Sequence, residues 1–467
     1  MKNGNFGSKN LFDVKKAVFL LLAIALLFSV SCTNAQNSNE SFDLDFDAPA
    51  GDDFDLEGTH FYMLTNWTIE LLPEAGRSLA ADLVRARYAE VEEKYNCEIE
   101  VKYSATHVAD FNAALATSMH VPDIFQAHAN EIYPFYKQNV LLALEDIDTI
   151  DATDLKWGYK HYLQYGNFDG KQYGFFPNNW LIMPEVTGVT VFNNEILMSY
   201  GLSKYPYELK EQDNWTWSEF ETLLGEVSSN VGGVKVYGLG FDDLSVLSKS
   251  AIFSNGGEIV VQSSDGKYAS GLSSENVYQA LDYISGLNKA GYTKNGDYSP
   301  FTNGEYVFWH CDSWKATIDY EGHEDYPLFT MQDYGMIDFP YGPNGDTTKS
   351  NSFIHRGRKL CWPVAMTAND HSIIGILMDA IFAPLPGMEE FAWMDYAKNN
   401  LFHHLEGYET FSNAIATTHY DYSVQLGSTM DKITGAFTKV FNGNESGAAA
   451  IAAIDAAVTQ AIAESLN

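Results

Sequence analysis

The chain has 467 residues, 46 % of them apolar, and a formal net charge of −34 from 28 basic against 62 acidic residues. That balance excludes nucleic acid or an anionic lipid surface as a partner held by general electrostatics, and the length is enough for two or three domains with substantial cores. The cysteines form no CxxC pair and match no zinc spacing. Beyond Cys32, the set Cys97, Cys311 and Cys361 reads as three buried thiols, with one disulfide plus one free thiol as the alternative.

Lys15 and Lys16 precede an apolar run, 17–30, that ends at Ser31-Cys32. A basic start, a short apolar core and small residues before a cysteine describe an export signal over 1–32. The run is too short for a comfortable transmembrane helix, which needs roughly 20 residues. A cysteine directly after the apolar core resembles bacterial lipoprotein signals and implies a lipid anchor on Cys32, although Ser29 stands where the usual motif has Leu. Ordinary secretion with cleavage after Thr33-Asn34-Ala35 is the alternative. Residues 33–56 are polar and acid-rich around Pro49-Ala50-Gly51, which reads as a flexible tether.

The folded body follows as alternating strands and helices. Strands are expected over 59–64, 97–103 and 123–126, with helices over 71–95 and 108–118 between them and a segment 133–137 leading into 140–144. This order argues for an α/β lobe with a mainly parallel sheet. A second block follows, with no internal repeat visible. It has strands over 188–192, 234–239, 304–309 and 334–339. Its helices are 217–227 with Thr216 as N-cap, 244–254 stopped at Asn255-Gly256-Gly257, and 275–290 ended by Gly291. A hairpin is expected around Ser264-Asp265-Gly266, and an Ala-rich helix over 448–466 closes the chain. Ligands of such sheets bind beyond the carboxyl ends of strands, which points to Asn66-Trp67 and to the Gln126–His128 segment.

Residues 111–147, with Pro122-Asp123 before a strand and a Leu-rich strand after it, resemble a segment of bacterial extracellular solute-binding proteins. Tyr173-Gly174-Phe175-Phe176-Pro177, then Val189 to Glu195, resembles the passage into the second lobe. Trp215-Thr216-Trp217-Ser218-Glu219-Phe220, Tyr237-Gly238-Leu239-Gly240, Ser254-Asn255-Gly256-Gly257 and Phe301-Thr302-Asn303-Gly304-Glu305 continue in the family's order. The resemblance is to family 1, the carbohydrate-type substrate-binding lipoproteins of ABC importers, and covers about 58–463. It implies an α/β, two-lobed periplasmic-binding-protein-like fold with a hinge and an interlobe cleft. Lobe 1 would comprise 57–176 and 358–420, and lobe 2 177–357 and 421–467. It also implies a monomeric extracytoplasmic receptor that hands a sugar or oligosaccharide to a membrane permease by hinge closure.

A sugar stacks its C–H faces on aromatic rings and offers its hydroxyls to planar polar groups. The segments with that chemistry near expected strand ends or lobe crossings supply the candidate contacts: Asn66, Trp67, Gln126, Asn178, Asn179, Trp180, Asp312, Trp314, Arg356 and Trp362. His128 and the Asn255-Gly256-Gly257 turn are weaker members of the same set. No HExxH, GxSxG, Walker loop or strand-linked GxGxxG is present. Acidic pairs such as Glu92-Glu93 and Asp242-Asp243 are expected by chance among 62 carboxylates. The reading is therefore a non-catalytic binder without cofactor or metal. A secreted carbohydrate-active enzyme and a non-transport surface sensor are the alternatives.

Overall fold

A computed structural model describes residues 55–467 except 77, 160, 177–183, 203, 232–233, 318–330, 332, 356–358, 387–393, 395–396 and 400. The export signal, Cys32 and nearly all of the tether lie outside the described residues. No described helix is long and apolar enough to cross a membrane.

The strands that organise the molecule are, in chain order, β1 (Thr59–Thr65), β2 (Cys97–Tyr103), β3 (Ile124–Ala127), β4 (Thr187–Asn193), β5 (Val234–Phe241), β6 (Thr293–Asn295), β7 (Tyr306–Asp312), β8 (Tyr334–Asp338), β9 (Phe353–Ile354), β10 (Leu360–Pro363) and β11 (His419–Tyr420). They form two separate principal sheets.

The first sheet has the order β10-β3-β1-β2. β1 pairs in parallel with both β2 and β3. Alternate β1 side chains point to opposite faces: Phe61 and Met63 enter one apolar cluster with Val91 and Leu377, whereas Tyr62 and Leu64 enter another with Phe125 and Phe135. Burial on both faces explains why β1 reads as an almost continuous apolar run. The expected helix over 71–95 is divided. A short helix, Thr68–Leu71, stops before Pro73, and a longer one, Leu79–Tyr95, starts afresh where the Ser78 hydroxyl accepts from the Ala81 N–H at 3.1 Å. Proline's fixed φ and missing N–H account for the break. The first sheet is mainly parallel as expected, with one antiparallel strand at its edge. β10 arrives from late in the chain and lies antiparallel on β3, Leu360 opposite Ala127 and Pro363 opposite Ile124.

The second sheet runs β6-β5-β7-β4-β9-β11, with β8 also paired to β4. β5 is parallel to β6 and β7, whereas β4 is antiparallel to β7, β8 and β9. All seven β4 residues are buried. At Gly335 on β8 a Cβ would strike the Phe192 ring, so only glycine lets the two strands approach this closely. The Ala-rich C-terminus forms two helices, Gly447–Ala452 and Asp455–Ser465, rather than one.

Each sheet thus has its own core, and a third apolar cluster spans the junction, bringing Phe125 and Phe135 together with Val189, Trp309 and Met336. The chain passes from the first half to the second between Phe176 and Val186, and back between Ile354 and Leu360. Helix His371–Ile381 packs in the first core, and helix Leu405–Thr417 on the β8 side of the junction. Cys97, Cys311 and Cys361 are free thiols, the last two buried and Cys97 half-buried with its thiol pushed up to about 11 chiefly by burial.

Candidate functional site

The described residues picked out in the sequence fall into two groups at the carboxyl ends of strands, one on each sheet, with Trp362 apart from both.

On the first sheet, Thr65 ends β1. Its hydroxyl donates to Gln126 Oε1 at 2.5 Å and accepts the Trp67 N–H at 2.8 Å. Gln126 is buried and uses its amide to donate to Glu70 Oε2 at 2.8 Å. This chain of bonds ties the ends of β1 and β3 into one polar surface. Beside it, Trp67 is 39 % exposed, an unusual state for so large an indole, and the Lys359 ammonium sits 5.2 Å from its ring centre. Asn66 Oδ1 is buried and has no hydrogen-bond partner among the described residues. An acceptor in that condition costs free energy unless something donates to it. His128 starts the next helix, where its N–H donates to Glu131 Oε2. Burial works against the Glu131 charge, but the bonds and charges of His107 and His128 hold its carboxyl down to about 2.

On the second sheet, Asp312 ends β7. Its carboxyl takes hydrogen bonds from the Thr187 and Trp314 side chains, yet Oδ1 is buried without a partner among the described residues. Burial, helped by the nearby Asp243 charge, pushes this carboxyl above the usual carboxylate range. Trp314 is half-buried, and the Lys315 ammonium lies 5.4 Å from both the Trp309 and Trp314 ring centres. Lys315 pairs with Asp242, and burial lowers it to about 8.

Asn178, Asn179, Trp180 and Arg356 lie outside the described residues. Trp362 is a correction. It is fully buried, donates its indole N–H to the Ala127 carbonyl at 2.9 Å and stacks on Phe168 at 6.2 Å. Its ring packs in the apolar cluster that spans the junction and meets no solvent-facing surface.

The sequence reading missed one polar constellation beside the Asp312 group. Lys249, in the middle of helix Leu244–Ser254, is fully buried, pairs with the buried Asp421 at 2.6 Å and approaches His355 Nδ1 at 3.1 Å. Although burial favours its neutral form, the Lys249 ammonium foremost holds Asp421 well below the carboxylate range. The available signal was a lone lysine within the otherwise apolar and small Leu244-Ser-Val-Leu-Ser-Lys-Ser-Ala-Ile-Phe-Ser254.

A cavity of about 80 Å³ lies elsewhere, walled by Tyr136, Tyr165, Phe168, Tyr268, Tyr420 and Tyr422 among others. None of the candidate residues lines it. Tyr420 and Tyr422 reach it from one side of their segment, whereas Asp421 between them turns to Lys249. No cluster of potential metal ligands occurs among the described residues.

Two α/β lobes, each built on its own sheet, are the architecture of periplasmic-type binding proteins. Residues 86–366 match the profile of bacterial extracellular solute-binding proteins, and the chain belongs to that family. No curated protein matches it. Solved structures share its fold at low identity. The cyclic alpha-maltosyl-1,6-maltose binding protein of Arthrobacter globiformis is 15 % identical with a TM-score of 0.65, covering 87 % of this chain and 100 % of its own. The sugar-binding protein MalE of Xanthomonas citri is 14 % identical at 0.62, covering 87 % and 98 %. UgpB of Mycobacterium tuberculosis, solved with glycerophosphocholine, is 15 % identical at 0.60, covering 87 % and 98 %.

Proposed function

We propose that this solute-binding protein is a receptor for a neutral sugar or short oligosaccharide and delivers it to an ABC importer by closure of its two lobes. One observation carries the reading. Each sheet presents, at a strand's carboxyl end, a tryptophan beside a buried acceptor oxygen with no described partner: Trp67 with Asn66 Oδ1, and Trp314 with Asp312 Oδ1. Rings that stack on C–H faces, next to oxygens that lack donors, suit a polyhydroxylated ring. Gln126 and Glu70 shape the same wall, and Arg356 with the Asn178–Trp180 segment extends the proposed contact set. Two of the three neighbours are sugar-binding proteins, which agrees with this chemistry. The test is a thermal-shift panel of glucose, maltose, maltotetraose, galacturonate and glycerophosphocholine. A ligand bound only by the native state at a hundred times its Kd adds about 2.7 kcal/mol, and at least one neutral sugar should raise the melting temperature by several degrees. A shift with glycerophosphocholine and none with the sugars refutes the carbohydrate reading.

The same proposal places the lobes outside the cytoplasm, held by a lipid on Cys32 with residues 33–56 as slack. Cells expressing the full chain should incorporate labelled fatty acid into it, and Cys32→Ala should abolish the label. Equal labelling of both proteins would remove the anchor from the proposal.

A further inference from the structure

We infer that His355 is a further ligand-contacting residue of this cleft, held by Lys249 as the neutral Nε2–H tautomer so that it presents a hydrogen-bond donor. The inference rests on the carbohydrate reading for the nature of what it meets, but not for the state of the ring.

The geometry decides the tautomer. Lys249 Nζ is 3.1 Å from His355 Nδ1. An ammonium can only donate, so Nδ1 accepts and the ring proton is on Nε2. Among the described residues, Asp421 Oδ2 is the carboxylate placed to draw the proton to Nδ1. It lies at 3.6 Å, beyond hydrogen-bond reach, and is already engaged by Lys249 at 2.6 Å. Lys249 is fully buried on a helix whose apolar side chains fill the second core, so its ammonium cannot swing away. A buried lysine that serves only to neutralise Asp421 has no need to touch an imidazole as well.

His355 is also placed to use the donor. It is the first residue beyond β9 on the return to the first half, and its side chain is 28 % exposed. Its Nε2 has no hydrogen-bond partner among the described residues, whereas both nitrogens of the neighbouring His310 are engaged, by Thr190 and Ser250. Thr187 on β4 stands opposite both Asp312 and Phe353, so Asp312 and His355 occupy the same region of the sheet. A donor at His355 and an acceptor at Asp312 Oδ1 would take the two complementary roles of sugar hydroxyls, one accepting and one donating. Because the donor is neutral and Asp312 is acidic, the pair favours uncharged hydroxyls over a carboxylate at this end of the cleft.

The test combines spectra and affinities. In the ligand-free protein uniformly labelled with ¹⁵N-histidine, the resonance absent from the His355→Gln spectrum should show the Nε2–H pattern, and Lys249→Met should convert it to mixed tautomers. The Nδ1–H form in the wild-type protein overturns the inference. Titration with glucose, maltose and maltotetraose should show at least tenfold weaker binding for His355→Phe, which keeps the ring but loses the donor. His355→Gln, which restores an N–H near the Nε2 position, should stay within about threefold of wild type. Unchanged affinity in His355→Phe overturns the contact. If the wild-type protein binds none of these sugars, the contact falls together with the carbohydrate reading, while the spectrum still decides the tautomer by itself.

Discussion

Lys249→Met is expected to lower the free energy of unfolding by about 3–5 kcal/mol, the range for removing one partner of a buried ion pair. Asp421 is almost fully buried and carries its charge because Lys249 stands 2.6 Å away. Methionine fills the same volume but leaves the carboxylate desolvated and without its counter-charge. The cost is desolvation rather than lost packing, so the double variant Lys249→Met/Asp421→Leu should recover most of it. Recovery should stop about 1 kcal/mol short, because Asp421 Oδ1 also accepts the Ser423 N–H at the start of the following turn. Urea unfolding of the three proteins measures both effects. A single variant within 1 kcal/mol of wild type would mean that the pair does not hold this side of the second core.

Asp312→Ala should weaken sugar binding by about 3 kcal/mol, roughly a hundredfold, while leaving the ligand-free protein as stable as before or more so. The two halves of this expectation share a cause. Burial raises the Asp312 carboxyl above its ordinary range, so the folded protein already spends free energy to keep this charge at the end of β7. Such a group is a burden on the empty protein and an asset once hydroxyls donate to Oδ1. Calorimetric titration with whichever sugar shifts the melting point, beside a melt without ligand, separates the two. Undiminished affinity removes Asp312 from the site, and a large loss of ligand-free stability makes it a structural residue instead.

Local sequence pattern carried much of the architecture. The buried run of β4, the Thr216 N-cap and the continuous apolar run of β1 are set by neighbours a few residues apart, and those elements stand where the spacing puts them. Pairings across long separations were not legible. Nothing in Leu360-Cys361-Trp362-Pro363 says that it closes the edge of a sheet begun at Thr59, because two strand-forming runs carry no mark of partnership. Trp362 shows the same limit for the site: a tryptophan on a strand near a lobe passage looks alike whether its ring faces a ligand or the core. The strand-end position of Asn66 was legible because a short polar residue directly after an apolar run marks such an end, whereas the strand expected to stop at 309 runs on to Asp312. Lys249 was passed over because a lysine is expected at the surface, and only its partners, 106 and 172 positions away, explain its burial.

The edge position of β10 bears on how the molecule is made. Its partner β3 is complete once Ala127 has been synthesised, yet the first sheet cannot close until Pro363 exists, after almost the whole second half. Non-local pairing of this kind delays folding, since a long loop must be ordered before the contact rewards it. The emerging chain is thus barred from finishing its first lobe early. For the extracytoplasmic receptor proposed above, the same lateness would leave the chain unfolded, and so competent for passage through a membrane, until most of it has been made.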